Sequence, residues 1–276
     1  MNKADLIVIG GDAAGMSIAS AAKKIRPEWD VVVFEAGNYI SYALCGTPYY
    51  ISGKVENLDD LIVLTPETAL SKKGVKVYTN HRVNYIEPNS KSLKVIDTEK
   101  SRELSFRYEK LAIATGAKSV IPSIPGIDTD GVFTLHSLDD AKNIKKYIED
   151  NNVKSGVIIG GGFIGMEMAE AFTESGIKTT LIEMLPTLLG IRNRDMLSAV
   201  LNEASANNVD VMLNSEVISF ESKSGKLVAV HTDDKEVKAD IALVATGVHP
   251  NTELAKSIGL ELGASDAIYV DLQGAT

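Results

Sequence analysis

Gly156-Val157-Ile158-Ile159-Gly160-Gly161-Gly162-Phe163-Ile164-Gly165 is a short apolar run that breaks into clustered glycines, and a helical pattern from Met166 to Phe172 follows it. Such a run suits a parallel strand covered on both faces. Thr180-Leu181-Ile182-Glu183 then reads as a second strand tipped by an acid. Gly160-x-Gly162-x-x-Gly165 meets the demands of a dinucleotide turn: one glycine for the tight turn, one for close approach of a pyrophosphate, one for packing helix on strand. The N–H groups and dipole of a helix starting at Phe163 and Ile164 would hold the phosphates. Glu183 lies 18 residues past Gly165, where a carboxylate accepts both ribose hydroxyls of adenosine. Met184-Leu185-Pro186 supply no cation beside it, and Arg192 and Arg194 are farther on. NADH is therefore favoured over NADPH.

The plan occurs twice. Leu6-Ile7-Val8-Ile9-Gly10-Gly11-Asp12-Ala13-Ala14-Gly15 precedes another helical pattern and then Val31-Val32-Val33-Phe34-Glu35. Its glycines are offset by 150 residues from those of the second copy, and its acid by 148. Leu111-Ala112-Ile113-Ala114-Thr115-Gly116-Ala117 is likewise echoed by Ala242-Leu243-Val244-Ala245-Thr246-Gly247-Val248. A period this long means duplicated domains rather than a solenoid. The first copy departs from the pattern because Asp12 takes the middle glycine's place, putting a charge where a pyrophosphate would come closest. Backbone N–H groups still cradle phosphate there if Asp12 points away, and Glu35 keeps the ribose role.

Between Gly74 and Leu111 the pattern alternates with period two, in Val75–Tyr78, Val83–Ile86, Leu93–Ile96 and Phe106–Tyr108. These stretches read as an antiparallel meander. Thr65-Pro66-Glu67 and Ser137-Leu138-Asp139-Asp140 look like helix starts. Ile121-Pro122 through Pro125-Gly126 suits a linker, since proline restricts helix. The expected fold class is α/β: two Rossmann-like nucleotide-binding domains with parallel sheets and an antiparallel β-meander, the second inserted in the first. The expected ranges are 1–118 and 119–239, with 240–276 returning to the first domain.

The chain's 276 residues suit about two domains. Its 45% hydrophobic and 24% charged residues suit a globular protein. A net charge of −9 gives no global basic field to attract nucleic acid or anionic lipid. No apolar run approaches the ~18 residues of a membrane span, and the start is too short in apolar residues for a secretory signal. A cytoplasmic protein is expected. The lone cysteine, Cys45, excludes an internal disulfide and any zinc site built on two or more cysteines. In Ser41-Tyr42-Ala43-Leu44-Cys45-Gly46-Thr47-Pro48-Tyr49 two readings of that cysteine stand side by side. It is a buried small hydrophobe, or a thiol at a helix start, a position that favours the reactive thiolate. His81, His136, His231 and His249 share no ligand spacing and read as surface or loop residues, so no metal site is expected. Trp29, Met166 and Met168 read as packing.

The glycine turns, both Ala-Thr-Gly strands and Ser41-Tyr42-x-x-Cys45-Gly46-x-Pro48-Tyr49 together resemble the single-cysteine branch of the flavin-dependent pyridine nucleotide–disulfide oxidoreductases. That branch includes coenzyme A disulfide reductases, NADH oxidases, NADH peroxidases and persulfide reductases. The resemblance implies that the first copy binds FAD through Gly10, Gly15, Glu35, Ser41, Val83, Thr115 and Gly116, with Gly11, Ala13, Ala14, Ala36 and Ala114 alongside. It implies that the second copy binds NAD(P)H through Gly160, Gly162, Phe163, Ile164, Gly165 and Glu183, with Gly247 nearby. Phe163 would gate the nicotinamide pocket, and Glu167 would stand near the flavin–nicotinamide stack. Cys45 would be the redox residue, cycling through a mixed disulfide with a small thiol, a sulfenic acid or a persulfide.

Peroxide- and oxygen-reducing members carry a histidine in the first glycine turn. Here the turn is Asp12-Ala13-Ala14, which favours a disulfide reductase acting on coenzyme A disulfide; Lys23, Lys24 and Arg26 read first as a solvated helix end and second as candidates for its phosphates. An oxidase, peroxidase or persulfide reductase is the alternative. The family pattern continues past Asp271 into a Gly-Asp motif and a dimerisation domain that this sequence lacks. A nucleotide-binding module with little turnover is thus a further reading.

Overall fold

In the computed structural model, which describes residues 2–276, the first apolar run forms β1 (Asn2–Ile9) and α1 (Ala13–Ile25) follows its glycine turn. The chain divides into two units. The first takes in the residues up to Ala43 together with Leu61–Lys118 and His249–Thr276. It contains β2 (Val31–Phe34), β3 (Ile40–Tyr42), β4 (Ile62–Leu64), α3 (Pro66–Lys73), β5 (Lys76–Tyr78), β6 (His81–Glu87), β7 (Ser92–Asp97) and β8 (Arg102–Ile113). Its main sheet runs β5-β2-β1-β8-β7-β6, parallel from β5 to β8 and antiparallel from β8 to β6.

Alternate residues of β1 point to opposite faces, and each face has its own core. Leu6 and Val8 pack with Met16 and Ala19 of α1 and with Val31 and Val33. Ile7 and Ile9 pack with Val32, Phe34, Phe106 and Tyr108. Burial on both sides is why the strand reads as a continuous apolar run. Thr65 caps α3 in a reciprocal pair with Thr68, Pro66 opens the helix, and Gly74 closes it at φ +68°, as the helix-start signal suggests.

The meander differs from expectation in two ways. Val75–Tyr78 is not part of it: β5 lies parallel to β2, with Val33 opposite Val77. Phe106–Tyr108 and Leu111–Ile113 are not separate strands but one, β8, which pairs antiparallel with β7 and parallel with β1. The exposed Glu109 between them simply faces solvent and pairs with Lys3 at 2.8 Å.

The second unit holds Leu44–Asp60 and Ser119–Val248. Its elements are α2 (Thr47–Ser52), β10 (Val132–Phe133), α4 (Leu138–Asn151), β11 (Ser155–Ile159), α5 (Phe163–Glu174), β12 (Lys178–Ile182), α6 (Arg194–Ala206), β13 (Val209–Met212), β14 (Val217–Lys223), β15 (Lys226–Thr232), β16 (Glu236–Lys238) and β17 (Ile241–Val244). A parallel sheet runs β10-β17-β11-β12-β13. One face packs Ile158, Leu181 and Leu243 against Ile144, Met168, Phe172 and Ile51. The other packs Val157, Ile159 and Val244 against Phe220, Leu227 and Val230, from the antiparallel sheet β14-β15-β16. The chain passes between the units within β9 (Ala117–Ser119) and β18 (Val248–Pro250), and α7 (Glu253–Ser257) lies in the first unit.

The two-copy, inserted α/β plan is therefore present, with shifted ranges. Residues 240–248 stay with the second unit because β17 is inserted between β10 and β11 of its sheet. Leu44–Asp60 also joins that unit, because Ile51 of α2 is buried in its core. Among the described residues no helix is long and apolar enough to cross a membrane.

Candidate functional site

The two glycine turns share their main backbone contacts. Gly10 N–H donates to Phe34 O and Gly160 N–H to Ile182 O, each at 2.8 Å. Gly10 and Gly160 sit at φ +105° and +107°, where a Cβ would also run into the carbonyl of Ala114 or Ala245. A Cβ on Gly15 would stand 1.8 Å from Gly10 O, and one on Gly165 1.9 Å from Gly160 O. These four glycines thus serve the fold itself, letting helix cross strand at backbone contact. Gly162 is different. A Cβ there would meet nothing within 4 Å, and its φ is an ordinary −81°.

That open space faces the start of α5, whose N-cap has no side chain to satisfy the first-turn N–H groups. Unpaired N–H groups and the helix dipole make such a start an anion site. Both features fit a pyrophosphate. In the first copy the same position is Asp12, extended at φ −93°, which makes no side-chain cap to α1. Its Oδ1 instead accepts a long 3.4 Å bond from Tyr42 N–H, so the carboxylate turns toward β3.

Both acids meet the turns. Glu35 Oε2 accepts from Gly11 N–H and Oε1 from Gly37 N–H, each at 2.7 Å. Glu183 Oε2 accepts from Gly161 N–H at 2.6 Å and Oε1 from Leu185 N–H at 2.7 Å. Each carboxylate oxygen has acceptor capacity beyond one such bond, which leaves room for a diol. Ser41, at φ +43°, ties in by donating its N–H to Gly11 O. Leu189, at φ +55°, does the same to Gly161 O.

Cys45 is exposed, on a single 3₁₀ turn, Leu44–Gly46, that leads directly into α2. The exposure departs from the buried-hydrophobe reading, and the thiol stands two residues before the first residue of α2. Thr47 Oγ1 donates to Leu44 O at 2.7 Å and closes the turn. Cys45, Pro48, Tyr49 and Ser52 line a shallow, solvent-open pocket with Glu167, Glu170, Ala171 and Glu174 of α5. Lys54 pairs with Glu174 and, at 3.6 Å, with Glu170. Its hydrogen bond to Glu174 holds the ammonium above the ordinary lysine value. Glu170, Glu174 and Lys54 were not among the residues expected at the site, although acids at 167, 170 and 174 have the spacing of one helix face.

Other expected residues fall as follows. Val83 is buried in the sheet, leaving its main chain for contact. Ala13 and Ala14 open α1, and Ala36 follows Glu35 beyond β2. Gly116 and Gly247 have positive φ. Thr115 Oγ1 donates to Asn251 O at 2.6 Å, while Asn251 Nδ2 donates to Thr115 O and Ala117 O at 2.9 Å. This clamp on the Ala-Thr-Gly segment had no signal, because Asn251 is 136 residues away. Phe163 is 75% exposed at the head of α5, and Ile164 packs on the core. Lys23 Nζ donates to Pro27 O and Trp29 O at 2.6 and 2.9 Å, which leaves one of its three donors. Two histidines depart from the surface-or-loop reading. His81 stacks on Phe34. His231 lies in β15, 2.8 Å from Glu221, and these two with Glu236 bring ligand atoms within 4.8 Å of one another.

The family model described as pyridine nucleotide-disulphide oxidoreductase matches residues 4–276. The chain belongs to that family. Within the pyridine nucleotide-disulphide oxidoreductases it is similar to the NAD(P)H sulfur oxidoreductase (CoA-dependent) of Pyrococcus abyssi, 38% identical over 98% of this chain and 59% of the relative. It is also similar to an NADH oxidase of Methanocaldococcus jannaschii, 34% identical over 93% of this chain and 57% of the relative. Among solved structures, reduced Bacillus anthracis CoADR-RHD superposes with a TM-score of 0.93 at 31% identity, covering 98% of this chain and 48% of that one. The chain spans about three-fifths of the length of the curated relatives it matches.

Proposed function

We propose that this chain carries the nucleotide and thiol sites of an FAD-dependent, NAD(P)H-driven reductase of a small-molecule disulfide, coenzyme A disulfide, working through Cys45. One observation carries the reading. The exposed thiol shares a pocket with Glu167 on α5, the helix that starts at the second glycine turn. The turn at Gly160–Gly165 would take NAD(P)H, with Glu183 on the adenosine ribose. The turn at Gly10–Gly15, with Glu35, would take FAD. When bound, the flavin supplies two-electron transfer from the nicotinamide to sulfur.

Cys45 performs the covalent step. Its thiolate attacks one sulfur of coenzyme A disulfide, forming a Cys45–CoA mixed disulfide and releasing a CoA thiolate, which takes a proton. Two electrons and a proton then cleave the mixed disulfide to Cys45 thiolate and a second CoA thiol. Phe163, exposed over the turn, would cover the nicotinamide end. A sulfur or polysulfide acceptor is the second reading, favoured by the name of the Pyrococcus relative. The alanines at positions 13 and 14 make oxygen and peroxide the less favoured acceptors.

The test is optical. Protein reconstituted with FAD is expected to bleach on anaerobic NADH addition and to oxidise NADH when coenzyme A disulfide is supplied. Cys45→Ser is expected to bleach as before and to lose disulfide-dependent turnover. Protein that stays colourless after reconstitution would refute the flavoenzyme reading and leave a nucleotide-binding module. Turnover with polysulfide but not coenzyme A disulfide selects the second reading. A clear NADPH preference overturns the role given to Glu183.

A further inference from the structure

We infer that Glu183, and Glu35 in the same way, are positioning residues that hold the glycine turn in its phosphate-binding shape before any nucleotide arrives. The inference rests on the nucleotide-binding reading and goes beyond the ribose contact in it. Each carboxylate ties its glycine turn to the segment that follows its own strand. Glu183 joins Gly161 N–H to Leu185 N–H, and Glu35 joins Gly11 N–H to Gly37 N–H, with all four bonds between 2.6 and 2.7 Å. Charge-assisted bonds of this length are among the stronger ones in proteins. The glycine they hold lies between the glycine that makes the tight turn and the residue where a pyrophosphate would approach, so its orientation sets theirs.

The identity of that glycine supports the same conclusion. Gly11 and Gly161 occupy a variable position of the Gly-x-Gly-x-x-Gly spacing, and neither has positive φ. Dihedral freedom therefore does not explain them. Space does. A Cβ on Gly161 would stand 2.4 Å from Leu188 Cδ2 and 3.3 Å from Glu183 Oε2, and one on Gly11 2.8 Å from Ile40 Cγ2 and 3.0 Å from Glu35 Cβ. The side chain must be absent for the acid and its neighbour to close over the turn. The opposite edge is tied by Ser41 and Leu189, which donate to the carbonyls of the same two glycines at 3.0 and 2.8 Å. The two copies thus build the same brace from corresponding atoms. A turn held this way keeps its donors aimed with little ordering left to do on binding.

A ribose-only role and a brace predict opposite signs for a ligand without ribose hydroxyls. The full chain, saturated with FAD, is titrated calorimetrically with ADP and with 2′,3′-dideoxy-ADP. If Glu183 acts only on hydroxyls, Glu183→Ala leaves dideoxy-ADP unchanged, or tightens it by removing a negative charge near phosphate. The brace predicts about tenfold weaker dideoxy-ADP binding in Glu183→Ala, with faster amide exchange at Gly161. Glu183→Gln, which keeps one acceptor oxygen, is expected to fall between. Gly161→Ala leaves the carboxylate in place and is expected to weaken dideoxy-ADP as well, so the test survives if Glu183→Ala does not fold. Unchanged or tighter dideoxy-ADP binding in the folded variants overturns the brace alone. Wild-type protein that binds neither nucleotide overturns the nucleotide reading, and the brace with it.

Discussion

Gly162 and Gly15 are both motif glycines, yet they answer to different forces. A Cβ at Gly15 would stand 1.8 Å from Gly10 O, while one at Gly162 meets nothing within 4 Å. Gly15→Ala is therefore expected to destabilise the chain by about 1–3 kcal/mol or more through forced backbone movement. Gly162→Ala is expected to stay within about 0.5 kcal/mol of wild type, while losing affinity for NAD(H) because the methyl occupies the approach to the phosphates. Chemical denaturation and calorimetric NAD+ titration check the pair. Equal stability losses would show that the open space at Gly162 is not what the geometry indicates. The spacing alone named all these glycines as one motif. Which of them the fold itself requires became legible only from the atoms around each position.

Capping and turn chemistry act on whole elements. Ser137 and Asp140 cap α4 reciprocally, and Asp140 also accepts from His136 N–H at 2.9 Å. Ser137→Ala is expected to cost about 1 kcal/mol, read as a lower unfolding midpoint with an unchanged denaturant slope. At the turn between β7 and β8, Asp97 is buried and accepts from Lys100 N–H at 3.1 Å and Arg102 Nε at 3.0 Å. Burial works to raise its carboxyl, but those bonds and the nearby His81 and Arg102 charges outweigh it and hold the carboxyl below the ordinary aspartate value. A group with a lowered folded value adds its full stability above the unfolded value of about 3.9. It loses that stability as pH falls through the lower folded one. The melting-temperature gap between wild type and Asp97→Asn is thus expected to persist from pH 8 to 5 and to close only below about pH 4. A gap that closes between pH 7 and 5 would contradict this. The helix starts at Thr65 and Ser137 were legible because caps are local. The parallel seat of β5 was not, since alternation marks a strand but not its partner.

At the scale of the whole chain, nucleotide binding and folding are linked. A ligand at one hundred times its Kd that binds only the folded form stabilises it by about 2.7 kcal/mol. For a chain this long that raises the melting temperature by roughly 5–10 °C. FAD and NAD+ are each expected to produce such a rise and, having separate turns, to produce a larger one together. Glu35→Ala is expected to diminish the FAD rise alone, and Glu183→Ala the NAD+ rise alone. Loss of both rises in either variant would refute separate sites. The chain by itself determined the two glycine turns, the acid-tipped strands and the presence of a single thiol, because each is written in residues close together along the chain. Only the tertiary structure decided that Leu44–Asp60 packs into the second unit, that Asn251 clamps the Thr115 segment, and that three acids of α5 line the Cys45 pocket. Those facts depend on residues far apart in sequence, brought together by burial of apolar faces whose partners local pattern does not name.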